Sequence, residues 1–583
     1  MKQRSGRVLL SILTIVLMLS SVGAVQAPEQ SQRQGIQPKF SEAVAFDVSP
    51  ALRDLARNTV HTSQGKSDEI LNIRPERGAQ SADKGHTADE ALQANGAVSG
   101  LITTESIPGT LANFEGLSNL DNFNIFGFRV NPPDPVGDVG PNNYVEMVNL
   151  VFGVYDKEGN LLLGPVDTGT LWSDFAVPDC MDPSGDPIVL YDQFEDRWLL
   201  SQFTTSGFSD PTKPFWNCVA ISTTGDPTGS YYRYAFETEH FQYFPDYPKY
   251  GVWTDSYVLT TREFGPIDEY GIGVYALEKN KMVNGEPNAR AVSFFLDGND
   301  PSILPLVGDG LLPADIDGKQ KPKTDTAIPL VGTQDDDAAM VYGGTSDALN
   351  IWDLRVKWRS TPTASIEFKA QLPVAEFDSI FPCGPTSRDC LPQPGITDSR
   401  QYLDILSYRQ RPTWRLAYRN FKDYETLVTN QSVEARPGVA GVRWYEIRRN
   451  ASGDYSLYQQ GTYAPDDGVH RWMGSIAQDR MGNMGLGYSV VNGVDVYPGI
   501  RYTGRLAGDL LGQMTLGEGT IINGTGVQTT TNSRWGDYTS MNIDPVDDCT
   551  FWYVNEYYTA AGQASSGAGW QTRIASFKLP GCQ

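Results

Sequence analysis

The sequence predicts an all-β fold, and three observations predict it. Short runs rich in aromatic and β-branched residues, among them "NYVEMVNLVFGVYD", "RWLLSQFTT", "SYVLTTREF", "TWRLAYRNF", "NMGLGYSVV" and "TFWYVNEYY", are bounded by Gly, Pro, Asn and Asp. No long stretch keeps apolar residues at the helical period. All 12 tryptophans follow Phe114, and before it the aromatics are Phe40 and Phe46 alone.

The chain opens with Lys2, Arg4 and Arg7, an apolar run over residues 8–19 and the small-residue stretch "SSVGAVQA". That order reads as a secretory signal peptide over residues 1–27, cleaved after Ala24 or Ala27. The apolar run is too short to span a bilayer, and no second run of spanning length follows. The mature chain is therefore expected to be secreted, extracellular or periplasmic, with no membrane span. Six cysteines fit an oxidising compartment. They allow fifteen pairings, of which proximity favours Cys180–Cys218, Cys383–Cys390 and Cys549–Cys582. None stands at CxxC spacing, which argues against zinc or thiol redox chemistry.

Residues 28–112 are rich in Gln, Ser, Ala and charge, a composition that buries little apolar surface. They read as a low-complexity linker or pro-segment. One short helix is expected at "SPALRDLARN", residues 49–58, with Ser49 as its cap and Pro50 in its first turn.

Residues 113–583 form the main domain, too large for a single sandwich, so a repeat is expected. Seven acids, Asp138, Asp192, Asp255, Asp317, Asp404, Asp479 and Asp544, each precede a turn and an aromatic or apolar strand. Their mean spacing is about 68 residues, which fits the blades of a β-propeller, four strands each around a central channel. Seven blades fit the domain length; six or eight stay open, as does chance recurrence of Asp in β-turns. The longest insertions fall between Asp317 and Asp479. Residues near 100–115 are expected to add a strand to the last blade beside "WQTRIASFKLPGC", and a Cys549–Cys582 bond would pin that blade.

A net charge of −24 argues against nucleic acid as a partner. It suits calcium, which prefers carboxylate and carbonyl oxygens. "NPPDPVGDVGPNN" offers Asp134 and Asp138, and "ADIDG" offers Asp315 and Asp317; the full EF-hand pattern is missing, and ordinary Asx-turns are the alternative. With only four histidines, His-based chemistry is confined to His240 and His470 in the main domain.

The C-terminal third carries a series of Arg–aromatic pairs, at Arg443, Arg471, Arg501 and Arg534, 28, 30 and 33 residues apart. If they converge, they form a cationic pocket for a carboxylate or sulfate on a glycan, with Trp444, Trp472 and Trp535 against sugar faces. Neighbouring residues on a strand face opposite ways, so an Arg and its Trp cannot both enter from one strand. The alternative is four separate ion-pair or cation–π contacts. For hydrolysis, which needs two facing carboxyl groups or a tyrosine with a carboxylate, the candidates are Glu446, Asp537 and Tyr502. No nucleophile elbow, zinc-protease motif or nucleotide-binding loop is present.

"VRWYEIR", "QQGTYAPDDGVHRWMGSIAQDRMGNMGLGYSV", "PGIRYTGR" and "RWGDYTSMNIDPVDDCTFWYVNEYY", with "PPDPVGDVGPNNYVEMVN" upstream, resemble a group of large exported bacterial proteins, some of which carry adhesion-type modules. The resemblance spans roughly residues 130–583. It implies a secreted β-propeller-like domain and brings no activity with it. The resulting expectation is a monomeric exported propeller that recognises, and in the stronger form hydrolyses, an extracellular polysaccharide or cell-surface component. The alternative is a non-catalytic adhesion or envelope-interaction protein, and a third reading is an enzyme of another class, such as a calcium-dependent lyase or a protease-like hydrolase.

Overall fold

Seven antiparallel meanders of four strands follow one another along the chain. The computed structural model describes residues 36–58, 69–72, 85–93, 106–267, 269–383, 388–405 and 411–582. The expected signal peptide and His61 lie outside these residues. Each meander opens with a strand lying nearest the channel: Val136–Val139, Ile188–Asp192, Phe244–Val252, Leu312–Asp317, Thr413–Asn420, His470–Gln478 and Ser540–Ile543. These define blades one to seven. Every first strand touches the first strand of the next blade, and Ser540–Ile543 touches Val136–Val139, so the ring closes. The fold is a β-propeller.

The strands form where the sequence supplies aromatic and β-branched residues between turn formers, and each blade is buried on both faces by its neighbours. Leu312–Asp317 is therefore buried along its whole length, polar residues included. This is why the strands read as dense runs rather than as clean alternation. Between blades three and four, Val258, Val274, Val292 and Leu296 pack against Leu330, Ile351, Trp352 and Leu354. Full burial of side chains of this size contributes roughly 1.5–3 kcal/mol each.

Three of the seven recurring acids share one duty. Asp192 accepts from Phe194 N, Asp479 from Met481 N and Asp544 from Val546 N, each closing the turn that leaves an inner strand. In blade five the residue doing this is Asn420, which accepts from Lys422 N. Asp404, assigned to that place from spacing, instead lies ahead of the inner strand and pairs with Arg388. The insertion thus precedes blade five, and an amide does the work expected of an acid.

Ala112–Ser118 pairs antiparallel with Trp570–Lys578 and completes blade seven with an N-terminal strand. All three expected disulfides are present, and Cys549–Cys582 joins the turn before the second strand of that blade to the end of the chain.

The segment that composition leaves as linker or pro-segment is strapped to the propeller in its described parts. Lys39–Glu42 pairs with Arg290–Asp297 of blade three and Ala45–Val48 with Tyr231–Glu237 of blade two, so ten residues staple two blade edges. The helix is present but shorter than expected, Leu52–Asn58. Ser49 does not cap it; its hydroxyl accepts from Tyr231 N and donates to Pro50 O. Among the described residues no helix is long and apolar enough to cross a membrane.

Candidate functional site

The loops that enter the inner strands carry the densest chemistry in the molecule. Six of the seven blades hold a charged residue at the entry to the inner strand: Asp134 in "PPDP", Asp186 in "SGDP", Asp309 in "VGDG", Arg411 in blade five and Asp537 in "WGDY" just before it, and Asp246 in "FPDYP" in its first residues. Proline and glycine on either side fix the backbone of these short loops. Asp134, Asp186 and Tyr247 take positive φ angles of 49°, 44° and 56°. A left-handed tyrosine costs of order 1–2 kcal/mol, and such strain gathers at functional sites.

A continuous hydrogen-bond network joins these loops. Asp134 accepts from Asp537 N at 2.7 Å and from the Asn149 amide at 2.7 Å. Asn149 accepts in turn from Asp186 N at 2.9 Å. The Tyr538 hydroxyl donates to Asp186 Oδ2 at 2.9 Å, and the Tyr247 hydroxyl donates to Asp537 O at 3.0 Å. Arg534 pairs with Asp537 Oδ2 at 2.8 Å, while Asp537 Oδ1 has no partner among the described residues. Glu556 lies beneath and accepts from Gly536 N.

Burial dominates the electrostatics. It pushes the Asp186 carboxyl up to about 7, with Asp246 and Asp537 adding to the rise and Lys249 and Tyr538 opposing it. The Asp134 carboxyl is held well above its ordinary range, first by burial and then by Asp537 and Asp186. Glu556 is raised in the same way. The site therefore holds protons on buried carboxyls near neutral pH, next to Asp537, which pairs with Arg534.

On the blade three side, Lys249 Nζ lies 3.2 Å from the ring centroid of Tyr247 and 3.3 Å from that of Tyr538. Arg411 stacks on Tyr247 at 4.0 Å. Asp309 bridges Arg262 Nη2 at 2.6 Å and Arg411 Nη1 at 2.9 Å.

Arg415 joins the inner strands of blades four and seven. It pairs with Asp315 at 2.9 Å and Asp317 at 2.6 Å, both of blade four, and its Nε donates to Met541 O of blade seven. Asp138, pushed up to about 8 by burial and by Asp315, accepts from Tyr191 N. Three of the four acids expected to hold calcium, Asp138, Asp315 and Asp317, thus come together around a guanidinium. Asp134 belongs to the mouth network instead. The one group of carboxylates close enough to share a cation among the described residues is Asp335, Asp336 and Asp337 in blade four, where Asp335 already accepts from Ser379 N and Asp337 N.

Of the other sequence candidates, the structure brings Arg534 and Asp537 to the mouth and leaves the rest apart. Arg443 pairs with Asp89; Arg471 pairs with Asp467 and Glu518; Arg501 also takes Glu518. The converging arginine pocket is therefore replaced by ion pairs away from the mouth, with Arg471 and Arg501 sharing Glu518. Trp444, Trp472 and Trp535 are fully buried, the last two against each other at 5.1 Å, and offer no face to a sugar. Glu446, on the third strand of blade five, is buried against Arg448 and Gln459. Tyr502, on the third strand of blade six, donates to Pro108 O. Neither joins Asp537. Lys249, Tyr247, Asp186 and Asp309 were missed, although the repeated Asp between Pro or Gly residues was a usable signal.

The sequence matches no protein-family model and no curated protein. In solved structures the chain is similar to an endo-arabinase from Bacteroides thetaiotaomicron, at 14% identity over 54% of this chain and 92% of that one, with a TM-score of 0.25. It is similar also to an α-L-arabinofuranosidase from Fusarium graminearum, at 10% identity over 59% and 95%, TM-score 0.28. The third is an α-L-arabinanase from Penicillium chrysogenum, at 8% identity over 59% and 97%, TM-score 0.28. Scores of this size leave the chemistry to the residues of this chain.

Proposed function

We propose that this protein is an exported, monomeric propeller that binds an extracellular glycan at the channel mouth and hydrolyses a glycosidic bond there. The observation that carries the reading is the pair Asp186 and Asp537: one carboxyl kept protonated near neutral pH by burial, the other paired with Arg534 and left with a free oxygen. Asp186 gives its proton to the leaving oxygen, and Asp537 accepts the proton of the attacking water. Tyr247 and Tyr538 wall the site. Arg415 links the inner strands of blades four and seven behind it. Three disulfides suit an oxidising compartment.

A polysaccharide-digestion screen on the full chain tests this, read as new reducing ends and compared with Asp186→Asn and Asp537→Asn. Turnover that both variants abolish supports the reading. Binding without any new reducing end replaces it with the adhesion role, and neither binding nor turnover removes the glycan altogether.

A further inference from the structure

The cleft at Lys249 has chemistry that hydrolysis does not use. Tyr247, Lys249, Arg262, Gly310, Leu311 and Arg411 line it between blades three, four and five. Three cationic side chains meet there, each at least 97% buried: Lys249 is 2% exposed, Arg262 3% and Arg411 1%. Asp309 serves both guanidinium groups, and no hydrogen-bond partner of Lys249 Nζ exists among the described residues. A buried ammonium without a hydrogen-bond partner is costly, and two tyrosine faces offset only part of the cost. Burial first, and Arg411 with it, holds the Lys249 amine well below its ordinary range, against the pull of Asp186, Asp537 and Asp134. Arg262 and Arg411 share the one carboxylate of Asp309, so an entering carboxylate would meet positive charge not yet matched and would draw a proton onto Lys249. Gly310 marks the open side: its φ is +150°, and nothing lies within 4 Å of where a Cβ would stand.

We propose that this cleft is an anion subsite that receives the carboxylate of an acidic sugar, a hexuronate residue, with Lys249 as its principal partner. The free space selects among anions. It amounts to about 10 Å³, the room of roughly one water. One oxygen of a carboxylate fits it, and a planar carboxylate needs less room behind that oxygen than a tetrahedral sulfate ester with three terminal oxygens. The carboxylate supplies the hydrogen bond that Lys249 lacks and leaves the Asp309 bridge intact. The inference rests on the glycan reading for its ligand class, and it makes the preferred substrate a uronate-containing polymer.

Titration calorimetry of the full chain with D-glucuronate, D-glucose and sodium sulfate tests it. Glucuronate is expected to bind, glucose and sulfate at least tenfold more weakly, and Lys249→Met to lose the glucuronate preference while its thermal unfolding stays cooperative. Lys249→Gln is read the same way if Lys249→Met does not melt cooperatively. Absence of glucuronate binding, equal binding of sulfate, or unchanged preference in the variant overturns the proposal. Free glucuronate needs no bond cleavage, so the two readings fail separately. Glucuronate bound with no polymer cleaved removes only the hydrolase; neutral polymer cleaved with no glucuronate bound removes only the anion subsite.

Discussion

The guanidinium of Arg443 and the carboxylate of Asp89 meet at 2.7 Å with neither side chain exposed. The contact ties a residue from the compositionally weak N-terminal segment into the middle of blade five. Thr462 Oγ1 also donates to Asp89, and Arg443 donates to the carbonyl of Ala375. A fully buried pair of this kind is held by its mutual satisfaction: removing one partner strands the other charge.

Asp89→Ala is therefore expected to destabilise the fold by about 3–5 kcal/mol, measured by urea unfolding of the mature chain. The double variant Asp89→Leu with Arg443→Met should recover most of the loss, since it leaves no charge behind. Equal stability of Asp89→Ala and the parent would mean that the strap around residues 85–93 adds nothing to the propeller.

Catalysis should follow the protonation of Asp186. Because the group acts as the acid and is pushed up to about 7, turnover is expected to fall as pH rises past that value and the proton is lost. Asp186→Asn should lower kcat by roughly 10²–10⁴-fold without lowering the melting temperature, since the amide can still accept from Tyr538. Asp537→Asn should give a similar loss. A pH profile with no limb above neutrality would remove Asp186 from the acid role.

The all-β class, the blade length, the added strand at residues 112–118 and the three disulfides were legible because local composition specifies them. Turn formers punctuate the strands, and cysteines close in sequence close in space. The site was less legible for a physical reason. Arg–Trp pairs stand out in sequence, but a strand buried on both faces hides such residues, and Glu518 pairs with both Arg471 and Arg501. Lys249 stands out only once Tyr247 and Tyr538, nearly 300 positions apart, are seen on either side of it. Likewise nothing near Asp315 in the sequence announces Arg415, which neutralises it from the next blade.

That last contact bears on calcium. Asp315 and Asp317 already have a cation between them, and the inner-strand backbone satisfies Asp138 and Asp315 further through Tyr191 N and Val252 N. Chelator is expected to leave the thermal midpoint unchanged at pH 7. A fall of several degrees that calcium restores would instead place an ion elsewhere, with Asp335, Asp336 and Asp337 the first group to substitute.

The buried carboxyls set the last expectation, which concerns stability against pH. Burial raises Asp138 and Glu263 to about 8 and Asp186 to about 7. A carboxyl whose folded value lies above its unfolded one holds more protons when folded. Its stabilising share is complete below the unfolded value and is lost as pH climbs through the folded one. His470 works in the opposite sense, pulled down to about 4 by burial, but its effect is over once pH passes the ordinary histidine value near 6.5. Between pH 6.5 and about 8 these carboxyls pull stability down as pH rises, against Lys249, which burial lowers and which works in the opposite sense; the melting temperature should decline across that range and level off above it. Asp138→Asn removes one of them while an amide oxygen can still accept from Tyr191 N. The decline should become shallower in that variant, as read by calorimetry at matched ionic strength, and an unaltered slope would show that Asp138 is already ionised in the folded protein.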